Sequence, residues 1–310
     1  MKGAFARSVQ FVLVAVVLFS LVGGLRGWAS ETRVLVDHLG RAVALPPLPQ
    51  RVLALHRAFI TDLLELGVLP IGRVEEYTYE EEIRVLPSIG SEKAPDLEVI
   101  YALAPDLIIA NTRLHVPLLE ALEKSGAALF FIDPEKFSDP LLERVLLIAQ
   151  VVGREDAGKA YAARLDALSA KLREQVARCG YHTAIVVQGG AESVLASQPT
   201  GMYHGLLVRL GLENVVPHGL PGAGRSTWVR FDIEAIMKAD PDVFIVRAAG
   251  SSKAEDELLN YYRTAPEWQG VRAIREGRIC VLPARVNPGE ITAEEALQIL
   301  ANLLCPSEGH

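Results

Sequence analysis

Five arginines stand just beyond apolar runs that read as strands, or in glycine-rich loops. His56 and Arg57 follow RVLAL at 51–55, Asn111 and Arg113 follow DLIIA at 106–110, and Arg247 follows VFIV at 243–246. Arg285 and Asn287 come after RICVL at 278–282, and Arg225 and Trp228 lie at the Gly/Pro-rich stretch around 219–224. Tyr77 and Tyr79 occupy another predicted loop, between acidic residues. Open α/β sheets bind ligands beyond the carboxyl ends of their strands. A guanidinium at such a place offers planar, paired donors suited to carboxylates and other oxyanions, and a partly dry cleft strengthens the attraction. The expected ligand is therefore anionic rather than neutral. Tyr77, Tyr79, His56 or His115 are the side chains that would complete an open coordination position on a metal carried by that ligand.

Other chemistries find less support. No G-x-S-x-G elbow is present, since Gly90-Ser91 and Gly250-Ser251-Ser252 lack the flanking pattern, so a secreted α/β hydrolase has no nucleophile motif. An H-E-x-x-H helix and a P-loop are also missing. The seven histidines are scattered, and arginine at the strand ends opposes a bare cation. The charge balance of 31 Lys+Arg against 38 Asp+Glu and the 6% aromatic content argue against nucleic-acid binding. Cys179, Cys280 and Cys305 stand too far apart for a zinc site; in an oxidising compartment two of the three can pair, and spacing does not choose which.

The elements that must position these residues alternate. At 310 residues and 50% hydrophobic, the chain is long enough for two packed domains. Lys2 and Arg7, an apolar run at 11–22 and small residues before a cut after Ala29 form the pattern of a secretory leader, too short for a comfortable membrane span. Its removal takes Lys2, Arg7 and Arg26 away, moving the formal charge from −7 to −10. No cysteine near the cut offers a lipid-attachment site.

Strands at 33–36 and 42–45 flank Asp37-His38-Leu39-Gly40 as a hairpin. Strand 51–55, helix 59–66, a strand beginning at 70–72, helix 96–103, strand 106–110, helix 116–125 and strand 128–132 follow. Unalternating strands between helices indicate a parallel sheet. After helix 141–152, residues 155–178 form a helix about 36 Å long, with its apolar stripe at Tyr161, Leu165, Leu168, Leu172 and Val176. The alternation then resumes with strand 183–187, helices 203–210 and 232–239, strands 243–246 and 278–282, and helix 293–304.

One segment occurs twice. DLEVIYALAPDLII at 96–109 and DIEAIMKADPDVFI at 232–245 share Asp, Glu, Ile, Pro, Asp and Ile at the same offsets. Each copy places an Asp as N-cap, a Glu in the first turn and a Pro-Asp turn before an apolar strand. A first-turn carboxylate complements the helix dipole, which accounts for one Glu more easily than for the matched pair Glu98 and Glu234.

These features resemble the helical-backbone (class III) periplasmic substrate-binding proteins of ABC importers for ferric siderophores, cobalamin and haem. The resemblance rests on Asp37-His38-Leu39-Gly40-Arg41, Pro49-Gln50-Arg51-Val52-Leu53, Pro87-Ser88-Ile89-Gly90, Leu97-Glu98 and Ala104-Pro105-Asp106-Leu107-Ile108. It continues through Leu210-Gly211-Leu212-Glu213-Asn214-Val215, Asp232-Ile233-Glu234 and Asp240-Pro241-Asp242, nearly the whole chain after the leader. It implies an α/β fold of two lobes with mainly parallel sheets flanked by helices, joined by one long helix, with the ligand cleft between them. The implied organisation is a leader at 1–29, an N-terminal lobe at 30–152, the backbone helix at 153–179 and a C-terminal lobe at 180–310. It further implies a monomeric, non-enzymatic periplasmic receptor serving an ABC permease, with Glu98 and Glu234 docking onto arginine pockets of that permease. Within the family the arginines favour a catecholate or carboxylate ferric siderophore, an iron complex that brings its own oxygen donors. Haem would need an axial His or Tyr, for which His56, Tyr77 and His115 are available; cobalamin would use Trp228 against its ring.

Overall fold

A computed structural model describes residues 32–77, 79–190, 193–221, 226–248 and 252–306. The proposed leader and Arg225 lie outside them. The chain opens with an antiparallel hairpin of β1 (Arg33–Val36) and β2 (Ala42–Leu45). A three-stranded parallel sheet is built from β3 (Val52–Ala54), β4 (Leu107–Asn111) and β5 (Ala128–Ile132), in the order β3-β4-β5. Every residue of β4 is buried, because helices or loops cover both faces of a parallel strand. Helix α1 (Arg57–Glu65) follows β3, and α2 (Leu97–Leu103) precedes β4.

Helix α3 (Glu143–Val152) ends at Gly153, whose φ of 68° ends it in the left-handed region. Helix α4 (Glu155–Ala177) runs 23 residues. Tyr161, Leu165, Leu172 and Val176 of its stripe are buried, with Leu168 half-buried and Ser169 buried beside it. Gly158 permits close approach to α3: a Cβ there would stand 2.7 Å from the Ala149 Cβ.

The second sheet combines β6 (Thr183–Gly190), β7 (Ser193–Ser197), β8 (Glu213–Asn214), β9 (Trp228–Arg230), β10 (Val243–Arg247) and β11 (Ile279–Leu282). Its order is β9-β7-β6-β10-β11, with β8 also on β6. The β6–β10, β10–β11 and β8–β6 pairs are parallel, whereas β7 pairs antiparallel with both β6 and β9. Helices α5 (Gly201–Arg209), α6 (Ile233–Ala239), α7 (Ser252–Thr264) and α8 (Ala293–Leu304) complete the fold. One apolar core runs from Leu45 through Ile108, Leu165 and Val186 to Leu304; a second gathers Phe244, Tyr262 and Trp268 on the other face of the second sheet.

Side chains tie α4 to both sides. Arg164 reaches Glu65 of α1 at 3.0 Å and Glu294 of α8 at 3.2 Å, and Arg209 of α5 reaches Asp139 and Asp166. Cys179 and Cys305 form a disulfide just beyond α4 and α8, leaving Cys280 free. Gln175 adds a 2.6 Å bond to the Cys305 carbonyl.

The duplicated segment is duplicated in three dimensions. Asp96 and Asp232 cap α2 and α6 through their carboxylates. Ala104 and Asp240 both take positive φ, 42° and 45°, to turn the chain out of the helix. Asp106 accepts the Gln50 and Arg51 N–H groups at 2.7 and 3.0 Å; Asp242 accepts those of His182 and Thr183 at 2.9 and 3.0 Å. Each Pro-Asp turn therefore clamps the start of the neighbouring strand.

Two local expectations need correction. Residues 70–72 form no strand: the Ile71 N–H makes a single bond to the Val52 carbonyl of β3 at 3.0 Å, and an isolated bridge joins Arg73 to Ser88. The helix expected over 116–125 is broken into Thr112–His115, a 3-10 turn at Val116–Leu118 and Leu119–Glu123, with Pro117 at the break.

Candidate functional site

At the carboxyl end of β3, His56 is the N-cap of α1 and its Nδ1 accepts the Ala58 N–H at 3.3 Å. The next residue's N–H, that of Arg57, donates to Glu92 Oε1 at 2.6 Å. The same carboxylate oxygen lies 3.9 Å from His56 Nε2 and 3.8 Å from Arg57 Nε, and Glu92 is itself buried. Burial raises the Glu92 carboxyl above its ordinary range, against the Arg57 N–H and charge.

Behind this cluster His115 is fully enclosed. Its Nδ1 accepts the Asn111 N–H at 2.9 Å, so Nε2 carries the proton of the neutral ring and donates to the Glu92 carbonyl at 2.8 Å. Burial holds its pKa below the usual value. Asn111 ends β4, and its Oδ1 caps the following turn by accepting the Arg113 N–H at 2.8 Å. Arg113 pairs with Glu135, three residues beyond β5; the Glu135 N–H is held by Asp133 Oδ1 at 3.0 Å.

The second sheet ends in a comparable set. Arg247, last residue of β10, donates to Gln188 Oε1 at 3.1 Å, and its charge lies near the Tyr203 hydroxyl. The Tyr203 hydroxyl donates to the Val286 carbonyl at 3.0 Å, and its ring packs tilted against Trp228 with centroids 5.2 Å apart. Burial lifts its hydroxyl to about 12. Arg247 Nε is buried and makes no hydrogen bond among the described residues. Beyond β11, Arg285 is exposed, and Asn287 Nδ2 donates to Glu290 at 2.7 Å.

The two sets meet. Arg57 Nη1 lies 3.9 Å from Glu290, and Gly289 leaves room for the Arg57 stem: a Cβ there would fall 2.5 Å from Arg57 Cγ. Tyr79 donates to Glu295 of α8 at 2.6 Å, the chief reason its own hydroxyl is raised to about 12. The loop beyond β11 thus closes onto the end of β3.

Of the expected ligand-binding residues, His56, Arg57, Arg113, Arg247 and Asn287 are half-buried at these strand ends, as is Trp228, which opens β9. Arg285 and Tyr79 are more exposed. Tyr77 and His115 depart from the open coordinating side chains expected: both are fully buried. The reason is packing. Tyr77 fills the core under its loop, and His115 is consumed in holding Asn111 and Glu92.

The arginines do not stand alone, since Glu135, Glu92 and Glu290 sit against Arg113 and Arg57. Applying the strand-end rule to β5 as well would have found Asp133 and Glu135. Nothing local marks Glu92, Gln188 or Tyr203. Among the described residues no group of His, Cys, Asp and Glu gathers as a metal site, and no helix is long and apolar enough to cross a membrane.

Glu98 and Glu234 are exposed in the first turns of α2 and α6. Neither makes an ion pair or side-chain hydrogen bond among the described residues.

The sequence and the fold both have known counterparts. A putative ABC transporter substrate-binding lipoprotein of Bacillus subtilis, YhfQ, is 24% identical over 265 residues, 81% of each chain. The Fe(3+)-citrate-binding protein YfmC of the same organism is 23% identical over 258 residues, 81% of this chain and 78% of its own. Staphylococcus aureus SirA, solved in complex with staphyloferrin B, superposes with a TM-score of 0.69 at 20% identity, covering 87% of this chain and 97% of SirA. Residues 52–286 match the model of the periplasmic binding protein family, and the chain belongs to that family.

Proposed function

We propose that this chain is the extracytoplasmic substrate-binding component of an ABC importer, and that it captures a ferric siderophore of carboxylate or catecholate type. The observation that carries this reading is the convergence of Arg57 and Glu290, which brings the strand ends of one sheet against the loop of the other. Arg247, whose buried Nε has no partner and whose hydrogen-bond acceptor is neutral among the described residues, supplies the positive charge that an anionic chelate needs. Iron held in its own oxygen donors requires no protein ligand, so the reading does not depend on a metal cluster. The role is binding, not catalysis.

On this reading residues 1–29 direct export without lipid attachment. Residues 30–152 and 180–310 are the two lobes, and 153–179 is the helix between them. Bending a 23-residue helix at many hydrogen bonds costs more than turning a loop hinge, so closure on the ligand is small. Glu98 and Glu234 are the docking anions, one per lobe, for a permease of two-fold symmetry. Their exposure, their freedom from internal partners and their matched place in the repeat support this.

The test is titration of the purified protein with ferric citrate and a ferric catecholate, followed by tryptophan fluorescence. Saturable quenching that weakens with salt, and that falls at least about tenfold in affinity in Arg247→Ala, is expected. Equal binding of neutral chelates counts against it. A Soret band or a corrin spectrum in the protein as isolated would replace the siderophore by haem or cobalamin. Uptake at the normal rate by cells carrying Glu98→Ala and Glu234→Ala together would remove the docking role.

A further inference from the structure

Arg247 ends β10 and Arg113 stands two residues beyond the end of β4, both at carboxyl ends of parallel strands, but their charges are treated differently. Among the described residues Arg247 donates to an amide oxygen and lies near the Tyr203 phenol, both neutral. Arg113 is met by the carboxylate of Glu135, its ion-pair partner among the described residues, and the two side chains are equally accessible at 21%. The Arg113 backbone is fixed by Asn111. Glu135 stands on the loop after β5, its N–H held by Asp133 Oδ1.

Resting on the function proposed above, we infer that Glu135 is a specificity-setting residue: an internal carboxylate that occupies Arg113 until a ligand carboxylate takes its place. Exchanging one carboxylate for another on the same guanidinium gains little for a small, singly charged anion. A polycarboxylate chelate engages Arg247 at the same time and presents several oxygens at fixed spacing, so it can displace Glu135 and still bind. The pair thus selects against common small anions while leaving the cleft open to multiply charged ferric complexes. It also keeps a half-buried guanidinium compensated while the cleft is empty.

The experiment uses the full exported chain with ferric citrate as the probe, and titrates the wild type, Glu135→Gln, Arg113→Gln and the double variant at one salt concentration. Glu135→Gln should bind ferric citrate about fivefold tighter or more, the scale of one charge-assisted hydrogen bond. It should also lose discrimination against free acetate as competitor. In the Arg113→Gln background the same change should alter affinity by less than about twofold, because the effect passes through that guanidinium. Unchanged or weaker binding by Glu135→Gln, or equal tightening without Arg113, overturns the inference while leaving the receptor function standing. Failure of the wild type and of Glu135→Gln alike to bind any ferric chelate overturns both. Glu135→Ala, checked by its melting curve, serves as the second variant.

Discussion

Tyr79 and Glu295, 216 residues apart, share a 2.6 Å hydrogen bond that joins a loop of the first half to the first turn of the terminal helix. Glu295 also closes the capping box of α8 with Thr292. Tyr79 thus locks a helix start that already has its own cap. Tyr79→Phe should lower stability by about 0.5–1.5 kcal/mol in denaturant unfolding. Ligand affinity should move less than about threefold. A tenfold loss in isothermal titration would show that the phenol contacts the ligand instead.

Asp106 and Asp242 each clamp two backbone N–H groups at a strand start, and their loss leaves those donors unsatisfied. Asp106→Ala and Asp242→Ala should each cost about 1–3 kcal/mol. Glu98→Ala and Glu234→Ala, in the same repeat but exposed and without an ion pair among the described residues, should stay within about 0.5 kcal/mol. Urea titrations of the four variants check this, and equal costs for all four would refute the division of labour.

The Cys179–Cys305 bridge closes a loop across 126 residues and pins the ends of α4 and α8 together. Replacing both cysteines by serine should destabilise the fold by about 2–5 kcal/mol through the freed unfolded chain. The strand ends that form the site lie elsewhere, so affinity for a ferric chelate should be kept. Calorimetry and fluorescence titration on the same sample separate the two.

His56 is held neutral: burial, then the Arg144 and Arg57 charges, push its pKa down to about 3. The unfolded chain, with an imidazole near 6.5, therefore takes up this proton first. Stability contributed by the neutral ring is complete above about pH 6.5 and is lost as the pH falls from there toward about 3. His56→Gln should show a shallower loss of unfolding free energy between about pH 6.5 and 5 than the wild type. In an NMR titration the His56 ring should show no protonation shift over that range. Coincident stability slopes would contradict the assignment.

The order of strands and helices was legible in the residues themselves, because buried parallel strands read as unbroken apolar runs and Gly or Pro punctuates most helix ends. Residues 128–132 and 293–304 coincide with β5 and α8, and the long helix ends within a residue of its expected limits. The repeat was visible for the same local reason, since each copy carries its own cap, turn and strand within fourteen residues. The β6–β7 hairpin was missed beyond residue 187 because Gln188-Gly189-Gly190 reads as a strand end; the pairing partner, not propensity, extends it. Which arginines carry free charge lay wholly outside the sequence. Arg113 is compensated from 22 residues away and Arg57 from 233, whereas among the described residues Arg247 makes no ion pair. Tyr77 and His115 likewise carry the right functional groups but are enclosed by distant segments. The choice of Cys179 and Cys305 over Cys280 depended on where two helices end in space. Local hydrogen bonding and periodicity decide the elements; burial and charge pairing are sums over neighbours that only the folded chain brings together.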